Sequence, residues 1–220
     1  PNNDILIHPI QTYIYQDDGI KNIVFSNRAD SLSGIPFQTL KTINIPPKFL
    51  NLRLLFEDNN LNEIHISPEN KRFADINGKI VVKKSNINND IYDILYYAVR
   101  NIEHVFISRN IKKIHECAFY KCKKIETFVF SEDSQLEIIE DNAFRCSSIT
   151  EIEIPKRVKV IGKRAFCYCE KLQIVKLLKD SELEIISEEA FEYSNLQSIF
   201  IPKNVIIIDN KAFNSCKNLK

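Results

Sequence analysis

Apolar residues recur along this chain in a six-residue frame, apolar-x-x-apolar-x-apolar, often closed by Pro or Ser. The frame reads IKNIVFS from Ile20, LKTINIP from Leu40, LNEIHIS from Leu61 and IEHVFIS from Ile102. It continues as IETFVFS from Ile125, ITEIEIP from Ile149, LQIVKLL from Leu172 and LQSIFIP from Leu196. The fourth and sixth residues share one face of an extended chain and the fifth points the other way, which is the period-two signal of a short strand. The frames predict eight strands about 20 to 24 residues apart, with one longer step of 41 residues between Leu61 and Ile102.

A second feature repeats between the strands. Ala-Phe pairs end at Phe119, Phe144, Phe166, Phe191 and Phe213, in steps of 25, 22, 25 and 22, so that the full period is 47 residues. Ahead of each Phe, the segments LEIIEDNAF, VKVIGKRAF, LEIISEEAF and VIIIDNKAF carry apolar pairs predicted to face inward. These are Leu136/Ile139, Val158/Ile161, Leu183/Ile186 and Val205/Ile208. A polar turn follows each Phe and is expected to include about one turn of helix. Self-similarity at this period marks a leucine-rich-repeat solenoid. The expected fold is a β-rich (α/β) superhelix of about eight coils with short helical turns. At the usual strand spacing, its strands stack into a ribbon of roughly 40 Å.

The period fails between Ser67 and Asn101. Asn77-Gly78 lies there between apolar runs, a strong hairpin signal, and DIYDILYYAV reads as a further strand. The chain therefore divides into degenerate N-terminal repeats over 1–66, an inserted β-hairpin or three-strand meander over 67–101, and regular repeats over 102–220, all within one continuous solenoid. Phe37 and Phe56 are weak echoes of the Ala-Phe site.

The cysteines follow the repeat. Cys122, Cys169 and Cys216 each lie three residues after the repeat Phe, where Ser194 stands after Phe191 and Asn59 after Phe56. Cys146 is assigned to the same column through a turn shortened by one residue. A small residue at one place in each coil forms a structural ladder, a role suited to free Cys as a small hydrophobe. Cys167 falls off that ladder and is expected at the surface.

Composition narrows the function classes. Apolar residues make up 44% and charged residues 27%, the balance of a globular chain. A net charge of +1 with both signs interspersed gives no basic face for nucleic acid and no polybasic patch for a membrane. No apolar run is long enough to span a bilayer. PNNDILIHPIQ lacks the features of a signal peptide, and the chain, which starts with Pro and has no Met, reads as a mature form or fragment. Six cysteines without a C-x-x-C pair leave the redox compartment open. Asn-x-Ser/Thr sequons are absent. Four Gly residues form no phosphate-binding or dinucleotide motif, and no G-x-S-x-G elbow occurs, so neither cofactor nor enzyme activity is expected.

The unit IP-x-x-V-x-x-I-G-x-x-A-F-x-x-C-x-x-L-x-x-I-x-I-P resembles the BspA-like leucine-rich repeats, most clearly over residues 154–177 and 201–219. ISPENKRFADINGKIVVKKSN is similar to that family's interrupting hairpin. The resemblance implies a curved right-handed solenoid and a cell-surface or secreted antigen that adheres to host proteins or neighbouring cells. It brings no catalytic residues. Cys146 and Ser194 depart from the family pattern. The other reading is an intracellular scaffold of the same fold, which the free thiols and the missing signal and sequons favour.

Other candidate sites have simpler readings. His115, Cys117 and Cys122 resemble a metal set, but Cys122 belongs to the ladder. Asp133 and Asp180 share a loop position in alternate coils and are expected to be solvated. His65 and His104 occupy outward positions. What remains is the strand face. One outward column holds His104, Thr127, Glu151, Ile174 and Ser198, and its neighbour holds Phe106, Val129, Glu153, Lys176 and Phe200. Outward apolar residues rimmed by charge mark an interaction site. The expected binding residues are His104, Phe106, Val129, Glu151, Glu153, Ile174, Lys176 and Phe200. Phe213, Cys216 and Leu219 are expected at an open end that pairs end to end or has lost a cap.

Overall fold

The computed structural model describes residues 40–56 and 60–220, together with the backbone of residues 5–7 and 22–25. Asn59 and Phe37 lie outside them. Every sequence frame forms a strand, because its β-branched and aromatic residues fit a half-buried pleated surface. The first ribbon pairs β1 (Ile5–Ile7), β2 (Asn22–Phe25), β3 (Thr42–Ile45) and β4 (Glu63–Ile66) in parallel. A meander follows, made of β5 (Phe73–Ile76), β6 (Ile80–Lys83) and β7 (Ile94–Ala98), with antiparallel pairing. From there, ribbon and back strands alternate along the chain. They run β8 (His104–Ile107), β9 (Lys113–Ile114), β10 (Thr127–Phe130), β11 (Ile138–Ile139), β12 (Glu151–Ile154) and β13 (Val160–Ile161). The last four are β14 (Ile174–Leu177), β15 (Ile185–Ile186), β16 (Ser198–Ile199) and β17 (Ile207–Ile208).

The even-numbered strands from β8 onward form the ribbon and the odd-numbered ones the back. All back strands and the meander join one eight-stranded sheet in the order β17-β15-β13-β11-β9-β7-β6-β5. The post-Phe segments are turns rather than short helices. Among the described residues the only helix is a 3-10 turn at Arg53–Phe56. Left-handed residues in each coil, described below, prevent a helix from forming there.

The core lies between ribbon and back. The repeat Phe rings stack face to face with centroids 5.0, 4.9, 5.2 and 5.4 Å apart from Phe119 to Phe213, tilted by at most 9°. From Phe119 to Phe191, each Phe N–H also donates to the Ala carbonyl of the next coil, as from Phe119 to Ala143 at 2.7 Å and from Phe166 to Ala190 at 2.7 Å. Leu136, Ile139, Val158, Ile161, Leu183 and Ile186 are fully buried, as their spacing predicts. In the final coil of the sequence, Ile208 is half exposed and Val205 only partly buried.

Two backbone positions in each regular coil are left-handed without being glycine. Two residues before Phe these are Cys117, Asn142, Arg164, Glu189 and Lys211, and two residues after it Lys121, Cys146, Tyr168, Tyr193 and Ser215, all with φ between 55° and 60°. That conformation costs roughly 1–2 kcal/mol per residue. Each donates its N–H to the next coil wherever one follows, for example Arg164 to Glu188 at 3.0 Å and Tyr168 to Glu192 at 2.9 Å. Such a bond returns about 0.5–1.5 kcal/mol, so the conformation persists only because the stacked coils hold it.

The small-residue ladder differs from the sequence reading in one member. Cys146 is half-buried and occupies the left-handed site, while Ser147 is buried in the ladder. The residue missing from that turn is lost after the ladder position, not before it. The ladder is therefore Cys122, Ser147, Cys169, Ser194 and Cys216. Cys169 and Cys216 donate to the carbonyls of Phe144 and Phe191 at 3.0 and 3.1 Å, and lie 3.5 and 3.3 Å from the hydroxyls of Ser147 and Ser194. Cys167 is also buried rather than exposed, since Arg145 and Glu192, its counterparts in the flanking coils, lie beside it. All six cysteines are unpaired.

At the meander tip, Asn77 and Gly78 both have positive φ and Lys79 N–H donates to Ile76 at 3.0 Å, the arrangement of a type I′ turn. A Cβ on Gly78 would come within 2.8 Å of the His65 ring. The hairpin also caps the free edge of β4: Ile64 N–H donates to Gly78 at 2.8 Å and Ile66 N–H to the Asp75 carboxylate at 2.7 Å. Arg100 ties the meander to the regular coils. Its guanidinium covers the Tyr97 ring at 4.5 Å and donates to Ala98 and Ala118.

Phe166→Ala, at the centre of the stack, is expected to cost about 3–5 kcal/mol in urea unfolding, and Phe213→Ala, half-buried at its end, clearly less. Burial pushes the Cys117 and Cys167 thiols up to about 11 and Cys169 to about 12. Their unfolded values lie near 9, so above that pH the unfolded chain loses protons that the folded chain keeps. The stabilisation is complete below pH 9 and is lost as pH rises toward 11–12. The urea midpoint should therefore fall between pH 8 and pH 10.5, and less steeply in Cys169→Ser.

Candidate functional site

Alternation along each ribbon strand places the fifth residue of the frame, and the third, on the solvent side. In β8, β12 and β14 the pattern is strictly exposed-buried-exposed-buried. Phe106, Val129, Ile174 and Phe200 are 64%, 53%, 43% and 52% exposed. Register pairs His104 with Thr127 and Phe106 with Val129, then Glu151 with Ile174 and Glu153 with Lys176. His104 Nδ1 lies 3.1 Å from the Thr127 hydroxyl, and Lys176 lies 3.8 Å from Glu151. Phe200 follows β16 directly.

The columns are not continuous. The expected single ribbon is three ladders: β1–β4, β8 with β10, and β12–β14–β16. The meander separates the first two by occupying the edge of β4. The second break lies between β10 and β12, neighbours in space that are not hydrogen-bonded to each other. The inward residues of β10 are Phe128 and Phe130, where β8, β12 and β14 carry Val, Ile or Leu. Phe128 packs edge-on against Phe119, Phe144 and Phe130 at 5.1–5.2 Å. The two rings leave β10 standing off from β12, and both stay only half-buried. The break opens a cleft of about 340 Å³ among the columns, lined by Phe128, Phe130, Val129, Ile152, Glu153 and Leu178, among others.

A second recess was not legible in the sequence. Phe56, Tyr96 and His115 come together from the 3-10 turn, β7 and the end of β9. His115 lies parallel to Phe56 at 5.4 Å and tilted against Tyr96 at 4.5 Å. With Arg53 and Glu116 they line a cavity of about 580 Å³. Phe56 thus stacks here rather than in the phenylalanine column. Burial pushes the Tyr96 phenol up to about 12. The only sequence signal was an aromatic pair in the region where the period fails, and spacing cannot align residues across that region.

The remaining candidates scatter. Cys122 is buried in the ladder, away from the recess that His115 and Cys117 line. Asp133 is paired with Arg109 at 3.0 Å and Asp180 with Lys156 at 2.7 Å, each cation from the preceding coil. Among the described residues no group of three or more His, Cys, Asp or Glu could hold a metal ion. No helix among them is long and apolar enough to cross a membrane.

Known proteins agree with this architecture. Residues 89–220 match the family described as BspA type Leucine rich repeat region, in six copies. No curated protein sequence matches the chain. Among solved structures, a leucine-rich repeat protein from Eubacterium ventriosum is similar at 20% identity and TM-score 0.51, over 80% of this chain and 59% of that one. The pneumococcal vaccine antigen PcpA is similar at 21% identity and TM-score 0.54, over 91% of this chain and 44% of that one. The chain thus spans less than two thirds of either structure, and at these identities the likeness concerns the fold. With the family match covering more than half of its length, the chain belongs to the BspA-type leucine-rich repeat proteins.

Proposed function

We propose that this chain is a non-catalytic recognition solenoid that binds a protein through the outward face of its ribbon, displayed at a cell surface or secreted. One observation carries the reading. Among the ribbon strands whose side chains are described, outward apolar residues appear from β8 onward, at Phe106, Val129, Ile174 and Phe200, whereas β3 and β4 present Thr42, Asn44, Glu63 and His65. Such side chains have no core to fill, and solenoids use these faces as extended binding surfaces. Glu151, Glu153 and Lys176 give the face charge between its apolar residues. That a vaccine antigen shares the fold supports display at a surface.

A second reading is an intracellular scaffold of the same fold, which the six unpaired cysteines favour. The upstream coding sequence separates the two: a signal peptide or anchor there supports surface display.

The test is binding of the chain to a panel of extracellular-matrix proteins and to intact host cells. A Phe106→Ala/Glu153→Ala/Phe200→Ala variant runs alongside, with its thermal melt as a folding control. The variant is expected to lose more than about tenfold in affinity, since losing a central anchor costs at least about 2 kcal/mol. Equal binding by both forms would remove the site from the ribbon face.

A further inference from the structure

We propose that the cleft between β10 and β12 seats one large apolar side chain of a protein partner whose neighbouring residue is lysine or arginine. This rests on the ribbon-face reading and names the chemistry it would recognise. The half-buried rings of Phe128 and Phe130 form the floor, and Val129, Ile152, Pro155 and Leu178 line the remaining apolar wall. A volume of about 340 Å³ lies at the lower end of pockets that take ligands and accommodates a single large side chain. An apolar anchor in a pocket at the centre of a face is the usual form of an energetic focus.

The rim fixes the neighbouring charge. It carries Glu132, Glu151 and Glu153 against Lys156 and Lys176. Both lysines are engaged, Lys156 by Asp180 at 2.7 Å and Lys176 by Glu151 at 3.8 Å. Glu132 and Glu153 have neither an ion pair nor a side-chain hydrogen bond among the described residues. The unmatched charge at the cleft is therefore negative, and a cation beside the anchor complements it. A free carboxylate beside the anchor would instead meet like charge.

The probe is a phage-displayed library of short linear peptides, panned on the full 220-residue chain. Enriched sequences are then synthesised and measured by fluorescence anisotropy. The expected sequences share a large aliphatic or aromatic residue beside, or next but one to, lysine or arginine. Their affinity should fall about tenfold in Val129→Asp and in Glu153→Lys, weaken with added salt, and hold in Ile206→Ser, off the ribbon strands. All three positions are exposed, and thermal melts confirm folding. Val129→Ser replaces any Val129→Asp variant that misfolds. Peptides weakened by Phe200→Ser, two strands beyond β12, but by neither cleft variant would overturn the cleft and keep the ribbon face. Peptides indifferent to Val129→Asp, Glu153→Lys and Phe200→Ser would overturn both. Failure to enrich any sequence would overturn the cleft alone, because the ribbon face is tested separately with intact proteins and cells.

Discussion

One distance governs this molecule, the rise from coil to coil. Two independent interactions set it to the same value. Stacked phenylalanine rings lie 4.9–5.4 Å apart, and parallel strands space their backbones at about 4.8 Å. Only the same residue at the same place in successive coils satisfies both at once. The buried alanine before each phenylalanine follows from that, because the backbones of adjacent coils approach there through hydrogen bonds of 2.7–2.8 Å. The left-handed residues on either side follow as well, since they turn N–H groups toward the next coil that a helical turn would direct inward.

The features legible in the sequence were those that depend on side-chain type at fixed spacing. The ribbon strands, the inward pairs before each phenylalanine and the hairpin at Asn77-Gly78 belong to this class. Apart from the ladder, what escaped depends on relations between coils. Counting three residues on from Phe144 reaches Ser147, as it reaches Ser194 from Phe191 in the other shortened turn, so the spacing held the answer and matching cysteine to cysteine drew the assignment to Cys146. Cys167 reads as exposed from its own coil but is covered by its neighbours. Ten left-handed positions carry Cys, Asn, Arg, Glu, Lys, Tyr or Ser, residues that do not announce this conformation as glycine does. Phe128 and Phe130 satisfy the inward pattern as well as Ile or Val would, and their larger volume, invisible to an apolar-polar reading, breaks the ribbon.

The two faces therefore have different characters. The back is one hydrogen-bonded sheet of eight strands, which the meander extends and to which Arg100 ties the regular coils. The ribbon is three ladders, with one break filled by the hairpin and the other left as an apolar cleft among charges. The candidate binding residues lie on both sides of that cleft. Their arrangement depends on the two half-buried phenylalanines beneath them as much as on the exposed side chains themselves.

The alternation of coil lengths has a genetic meaning. Ser147 lies against Cys169 and Ser194 against Cys216, in each case a serine from a shortened turn facing the cysteine of a full-length one. The self-consistent building block is thus a pair of coils, 47 residues long. A gain or loss of one whole block joins equivalent positions and preserves every ring, ladder and turn. A change of one coil places serine on serine or cysteine on cysteine and misaligns turn lengths. Recombination within such a gene can lengthen or shorten the array in steps of two coils while the packing within each block stays constant.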